Sequence, residues 1–144
     1  MEQRDVLRLA LIQRAKEVRE NSYCPYSGFA VGAALLTKSG KVYTGCNVES
    51  ASYTPSNCAE RTAVFKAVSE GEREFLAIAI AAGPVGEKAP LSRYVSPCGV
   101  CRQVLREFDK GDMQVILCRD VEDFQVHTLA ELLPFSFAEE DMGR

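Results

Sequence analysis

The sequence predicts an α/β fold, a three-layer α/β/α sandwich built on a mixed, mostly parallel sheet of about five strands. Its 144 residues match the length of one domain, which we expect to span residues 1–144. Short apolar segments alternate with amphipathic ones along the chain, and this alternation is typical of a sheet covered by helices. Turn residues at 38–41 separate two apolar segments and indicate an antiparallel hairpin at one end of the sheet.

The first half of the chain is expected to supply two helices and the hairpin. Apolar residues recur at helical spacing over residues 6–18, which predicts an amphipathic helix. The apolar segments at 29–36 and 42–47 are the predicted strands of the hairpin. Asn57 is a suitable N-cap for a helix over residues 58–69.

The second half continues the alternation. The fully apolar segment 75–82 is typical of a buried strand, and a helix is predicted over residues 98–108. Residues 114–118 form another predicted strand, 124–127 a short further one, and 128–133 a last helix that begins at a threonine cap. Strands and helices that alternate in this way predict parallel neighbours in the sheet.

The composition limits the classes of protein and of partner. Apolar residues make up 47% of the chain and charged residues 26%, which excludes a disordered tail, a collagen-like fibre and a coiled coil. The net charge is −3, so we expect a small-molecule substrate and no nucleic acid partner. No segment approaches the ~18 apolar residues of a membrane span, and the charged beginning of the chain is unlike a signal peptide. We therefore expect a cytoplasmic protein without membrane association.

Six cysteines in a reducing compartment are expected to be core residues, metal ligands or catalytic groups. Three of them fall in two motifs, Cys58-Ala59-Glu60 and Pro97-Cys98-Gly99-Val100-Cys101. Each motif lies in the first turn of a predicted helix, and the two cysteines of the second motif share one helix face. Three thiolates that meet at two helix starts indicate zinc, and three protein ligands leave a fourth position open, as in catalytic zinc sites.

Glu60 and Arg61 follow the first of these cysteines in the same turn. The Glu60 carboxylate is close enough to carry protons between a water molecule and a substrate, and Arg61 could donate hydrogen bonds to the thiolates. Two alternatives stay open at this point. Asn57 and Glu60 also fit a helix-capping pattern, and Cys98 and Cys101 also fit a redox dithiol.

A polar pair, Asn47 and Glu49, stands at the end of a predicted strand. Side chains two residues apart share a face of a strand, and an amide beside a carboxylate can bind a sugar diol while repelling a phosphate. The pair therefore favours a nucleoside over a nucleotide, although polar groups are also ordinary at strand ends. Phe29 begins the first strand, and its position alone indicates a core residue.

Between Leu9 and Phe137 the chain resembles the small homotetrameric, zinc-dependent cytidine deaminases. The matching stretches are PYSGF at 25–29, VGAA at 31–34, GCNVE at 45–49, CAERTA at 58–63, SPCGVCRQ at 96–103 and ELLP at 131–134. The chain departs from the family at Ser50, where asparagine is usual, and in its long loop over residues 83–94.

The resemblance implies a role for each matching residue. The implied ligands of one Zn²⁺ per subunit are Cys58, Cys98 and Cys101, with Glu60 as the catalytic proton carrier. The implied substrate contacts are Phe29 at the pyrimidine, Asn47 and Glu49 at the ribose hydroxyls, Ala59, and Tyr53 and Phe137 from neighbouring subunits. The resemblance also implies that Arg61 and Gln103 lie behind these residues and support them.

We therefore expect a hydrolase that converts cytidine and deoxycytidine to uridine and deoxyuridine and releases ammonia, a reaction of pyrimidine salvage. The resemblance implies a homotetramer with shared active sites. Two alternatives stay open. One is a zinc deaminase of another aminopyrimidine such as blasticidin S, and the other is a non-catalytic zinc module that binds RNA or protein.

Overall fold

The computed structural model describes residues 2–143 and is built on one five-stranded sheet. The strands are β1 (Phe29–Thr37), β2 (Val42–Cys46), β3 (Phe75–Pro84), β4 (Gln114–Asp120) and β5 (Asp123–Thr128). The helices are α1 (Gln3–Arg19), α2 (Ala59–Ser69), α3 (Gly99–Arg106) and α4 (Leu129–Leu132), and a 3₁₀ helix that the sequence did not predict follows at Glu139–Met142. Within residues 2–143, no helix combines the length and the apolar surface that crossing a bilayer requires.

The sheet is mixed, with the strand order β2-β1-β3-β4-β5, so the predicted five-stranded α/β sheet is confirmed. The expectation that it is mostly parallel is wrong. In the described part of the chain only β3 and β4 pair in parallel, and the other three pairs are antiparallel. β2, β3 and β4 do run in one direction, as the connecting helices require, but β1 lies between β2 and β3 and separates them. A tight turn after β4 makes β5 antiparallel.

Helices cover both faces of the sheet, as the three-layer prediction requires. On one face α1 packs Leu11, Ile12 and Ala15 against the strands, whereas α2, α3 and α4 cover the other face. The two faces of β3 carry side chains of different size. Ile78 and Ile80 point to the α2 side, and the alternating alanines point to the α1 side. The small alanine side chains let α1 approach the sheet closely.

Two glycines set how closely the helices lie on the sheet. A Cβ added to Gly32 would stand 2.1 Å from the carbonyl oxygen of Ala15 in α1. A Cβ added to Gly45 would stand 2.6 Å from the carbonyl oxygen of Ala59 and 2.6 Å from the backbone nitrogen of Ala63, both in α2. Any side chain at these places would push the helix outward, so Gly45 fixes the depth at which α2 begins.

The start of α2 differs from the prediction in a way that affects the site. Cys58 is the N-cap residue, and the expectation that Asn57 caps the helix is wrong, because Asn57 forms an isolated β-bridge with Val48. α3 begins in the same manner, with Cys98 as its N-cap. Two of the three predicted zinc ligands therefore stand at the junction between a loop and a helix.

Candidate functional site

The topology brings two helix starts to the same edge of the sheet. β2 and β3 run in the same direction, so the loops that follow them leave at one edge, and α2 and α3 begin there. Cys58 and Cys98 cap these helices, and Cys101 lies in the first turn of α3. The predicted convergence is confirmed, because the three sulfur atoms lie within 4.8 Å of one another.

The three thiols have the chemistry and the separation of a zinc site. The Sγ atoms of Cys58 and Cys98 are 3.9 Å apart. A tetrahedral zinc ion with Zn–S bonds of about 2.3 Å holds its sulfur ligands about 3.8 Å apart. Each of the three cysteines is a free thiol. A redox pair of Cys98 and Cys101 does not account for a third sulfur at this distance, whereas a zinc site does.

The surroundings favour the thiolate form of Cys58. Hydrogen bonding with Cys101, and then with Arg61, lowers the pKa of the Cys58 thiol to about 5. The Arg61 Nη2 atom donates to the Cys58 sulfur at 3.3 Å. The same hydrogen bond with Cys58, together with burial, raises the pKa of Cys101. The positive ends of two helices also face the cluster, so several groups offset the negative charge that three thiolates bring to a metal.

Glu60 is a buried carboxyl group in the same turn as Cys58. Only 5% of its surface is exposed, and this burial raises its pKa to about 7. Because Cys58 is the N-cap, Glu60 occupies the second helical position, and α2 has no side-chain cap. The capping alternative for Glu60 is therefore wrong. A carboxyl group with a pKa near neutrality can both accept and donate a proton.

A cavity of about 340 Å³ opens beside the thiols. Its lining includes Phe29, Asn47, Glu49, Glu60 and Cys98. The structure thus brings together residues for which the family resemblance implies base contact, sugar contact, proton transfer and metal binding. A larger concavity of about 530 Å³ lies between the end of α3 and the C-terminal segment, but the thiol cluster does not open into it.

Asn47 is bound to the backbone of β1. Its side-chain oxygen accepts a hydrogen bond from the Val31 N–H at 2.9 Å, and its side-chain nitrogen donates to the Phe29 carbonyl oxygen at 2.8 Å. The amide thereby acts as a strand partner for β1 beyond the end of β2, and it holds Phe29 at the cavity wall.

Glu49 is bound to the loop before β1. Its carboxylate accepts hydrogen bonds from the backbone N–H groups of Tyr26 and Ser27 and from the Ser27 hydroxyl. The Ser27 hydroxyl, followed by these N–H groups, holds the pKa of Glu49 below its usual range. Glu49 therefore faces the cavity as a charged acceptor. Ser27 also lines this cavity, and it was not among the predicted site residues.

Five predicted residues do not line this cavity. One is Cys101, which is fully buried within the thiol cluster, and the other four lie outside the cluster. Tyr53 is 69% exposed and packs edge-on against Tyr26, with 5.8 Å between the ring centroids. Phe137 is 57% exposed, and Gln103 donates to its carbonyl oxygen at 2.9 Å, so Gln103 holds the C-terminal segment and not the thiols. Ala59 is fully buried at the start of α2.

Comparisons with known proteins agree with this geometry. A family model described as "Cytidine and deoxycytidylate deaminase zinc-binding region" matches residues 7–117. The chain is 50% identical to the cytidine deaminase of Sporosarcina psychrophila over 133 residues, which cover 92% of this chain and 93% of that protein. The crystal structure of a cytidine deaminase from Burkholderia pseudomallei matches with a TM-score of 0.78 and 45% identity, covering 95% of this chain and 100% of that one.

A weaker match bears on the substrate. The chain is 35% identical to the blasticidin-S deaminase of Bacillus cereus over 108 residues, which cover 74% of this chain and 76% of that protein. Both the identity and the coverage are lower than for the Sporosarcina protein.

Proposed function

The chain belongs to the cytidine and deoxycytidylate deaminase family, and from this premise we propose that it hydrolyses cytidine and deoxycytidine to uridine and deoxyuridine with release of ammonia. The observation that carries the proposal is one cavity lined by two thiols of the cluster, by buried Glu60 and by the pair Asn47 and Glu49. The matched relatives are deaminases, so the alternative of a non-catalytic zinc module has no support.

The thiol cluster and Glu60 divide the chemistry between them. Cys58, Cys98 and Cys101 would hold zinc, which acidifies water and so supplies a nucleophile at neutral pH. Glu60 accepts the proton of the attacking water and delivers it to N3 of the pyrimidine as the new C4–O bond forms. Glu60 then transfers a second proton from that oxygen to the amine, so that the C4–N bond breaks and ammonia leaves. A carboxyl group with a pKa near 7 is suited to both transfers.

The substrate class is tested directly by ultraviolet absorbance, because deamination changes the spectrum of the base. We expect cytidine and deoxycytidine to be converted, and cytidine monophosphate and blasticidin S to be poor substrates. The charged Glu49 carboxylate would repel the phosphate of the monophosphate. Faster conversion of blasticidin S than of cytidine would overturn the assignment and favour the weaker relative.

Glu49→Gln is expected to lower kcat/KM for cytidine by about 10- to 100-fold, because it removes a charged hydrogen-bond acceptor from the sugar. The same change should leave kcat/KM for 1-methylcytosine, which has no sugar, within about 3-fold of the wild type. Glu72→Gln is a matched control. Glu72 also accepts a hydrogen bond from a serine hydroxyl, but it lies in a different part of the chain, after the end of α2. Equal losses on both substrates would remove Glu49 from the sugar site.

The assembly we propose is a homotetramer whose active sites are completed by neighbouring subunits. The support for this is a set of aromatic side chains that are exposed on the single chain: Tyr53 at 69%, Phe135 at 107% and Phe137 at 57% exposure. Tyr53 and Phe135 have positive φ angles of 42° and 53°, which are unfavourable for such residues. An aromatic ring from a neighbour can stack on a pyrimidine and exclude water from it.

Removing residues 135–144 is therefore expected to raise KM for cytidine by about 2- to 10-fold, the effect of losing one aromatic contact with the base. The truncated chain should still bind zinc. Phe137→Ala tests the same ring without a truncation. Mixing the truncated chain with a Glu60→Gln chain should lower the KM for cytidine toward the wild-type value, because some hybrid sites combine an intact Glu60 with an intact tail. A fully active monomer in light scattering at low micromolar concentration would refute the shared site.

We also propose that the enzyme acts in the cytoplasm, in pyrimidine salvage. The support for this location is that all six cysteines are free thiols, as a reducing compartment favours.

A further inference from the structure

The Glu49 carboxylate is held by three hydrogen bonds from one short segment. The Tyr26 and Ser27 N–H groups donate to its Oε1 atom at 3.0 and 3.1 Å. The Ser27 hydroxyl donates to its Oε2 atom at 2.5 Å. An ionised carboxylate offers about four acceptor positions, so one position, on Oε2, is left for a substrate hydroxyl. The direction in which this free acceptor position points depends on where Ser27 holds the carboxylate.

Ser27 also contacts the backbone of Phe29, another residue that lines the cavity. A serine hydroxyl has a single proton, and a charged carboxylate only accepts, so this proton belongs to the bond with Glu49. The Ser27 oxygen can then accept a hydrogen bond, and the Phe29 N–H donates to it at 3.0 Å. The result is a directed chain from the Phe29 N–H through the Ser27 hydroxyl to Glu49.

Asn47 binds the other backbone group of Phe29, its carbonyl oxygen. The backbone N–H of Phe29 is bound by Ser27, and its carbonyl oxygen is bound by the Asn47 amide. Both backbone groups of Phe29 are therefore fixed by neighbouring residues of the cavity lining, Ser27 and Asn47. All four residues line the same cavity.

We propose that Ser27 is a positioning residue for the nucleoside, which aims the remaining acceptor of Glu49 at a sugar hydroxyl and sets its distance from Phe29. The proposal rests on the proposed function, in which Glu49 binds the sugar. Ser27 makes no contact with the thiol cluster or Glu60 among the hydrogen bonds of the described residues, so its effect falls on nucleoside binding and not on proton transfer.

The test compares substrates with and without the sugar. Ser27→Ala should raise KM for cytidine about 10-fold, the effect of losing a hydrogen bond to a charged group, while kcat changes by less than about 3-fold. Its kcat/KM for 1-methylcytosine should match the wild type. Ser27→Thr, which keeps the hydroxyl, should restore the KM for cytidine. Ser39→Ala is the matched control, since Ser39 donates to the Glu72 carboxylate at 2.7 Å in the distant β1–β2 turn.

Combining Ser27→Ala with Glu49→Gln separates this proposal from the proposed function. If Ser27 acts through Glu49, the serine change has little further effect in the Glu49→Gln background. Equal loss on both substrates, a fall in kcat with KM unchanged, or no rescue by threonine would overturn the role of Ser27. If Glu49→Gln discriminates between cytidine and 1-methylcytosine but Ser27→Ala does not, Ser27 is not a positioning residue and the proposed function stands. If the wild type does not convert cytidine, the proposed function fails instead.

Discussion

Replacing Glu60 with glutamine is expected to lower kcat for cytidine by about 10⁴-fold while zinc and the fold are retained. General acid–base catalysis contributes about 10²–10⁴-fold, and the proposed mechanism uses Glu60 in two successive proton transfers. Glutamine has nearly the same shape and can be buried at the same place, but it cannot accept and return a proton. Steady-state kinetics, with zinc content and thermal unfolding measured on the same preparation, test this expectation.

The control for this variant is Glu70→Gln, at the exposed opposite end of α2. It removes the same charge from the same helix and should leave kcat unchanged. If Glu60→Gln keeps a rate close to that of the wild type, Glu60 is a structural residue of the helix start and the proton-transfer role is wrong.

Cys98→Ala is expected to abolish turnover and to lower zinc affinity by more than about 100-fold. Loss of a residue that merely supports a ligand costs 10- to 100-fold in metal affinity, and Cys98 is proposed as a ligand itself. Since metal binding and folding are coupled, the variant should also unfold at a lower temperature. Metal analysis after gel filtration measures the first effect, and calorimetry measures the second.

Cys46→Ala provides the matched comparison, because Cys46 is a free thiol in β2 outside the cluster. It should keep one zinc per chain. Full zinc occupancy in Cys98→Ala would show that the metal is held elsewhere.

The sequence was sufficient to predict the cysteine cluster because local rules place its members. Cys98 and Cys101 are three residues apart, and an apolar strand followed by a helical segment predicts that each cysteine motif lies near the start of a helix. The alternation of strands and helices likewise predicted every strand of the sheet and its α/β class. These inferences depend on spacing within a short stretch of chain.

Strand order and the contacts of Ser27 could not be predicted in the same way. The insertion of β1 between β2 and β3 depends on which edges pair in three dimensions, and no local pattern specifies it. Ser27 and Glu49 are 22 residues apart, and a serine before a strand ordinarily indicates only a turn. Gln103 follows Cys101 closely, yet it contacts the carbonyl of Phe137, 34 residues away, because α3 packs beside the C-terminal segment.

We expect one zinc ion in the thiol cluster to enable the chain to deaminate cytidine. The most direct measurement strips the metal with a chelator, restores zinc in steps and records the rate of cytidine conversion against zinc bound per chain. We expect negligible conversion without metal and a rate that rises linearly and levels off at one zinc for each chain. Undiminished conversion by the metal-free protein, or a chain loaded with one zinc that leaves cytidine unchanged, would contradict this expectation.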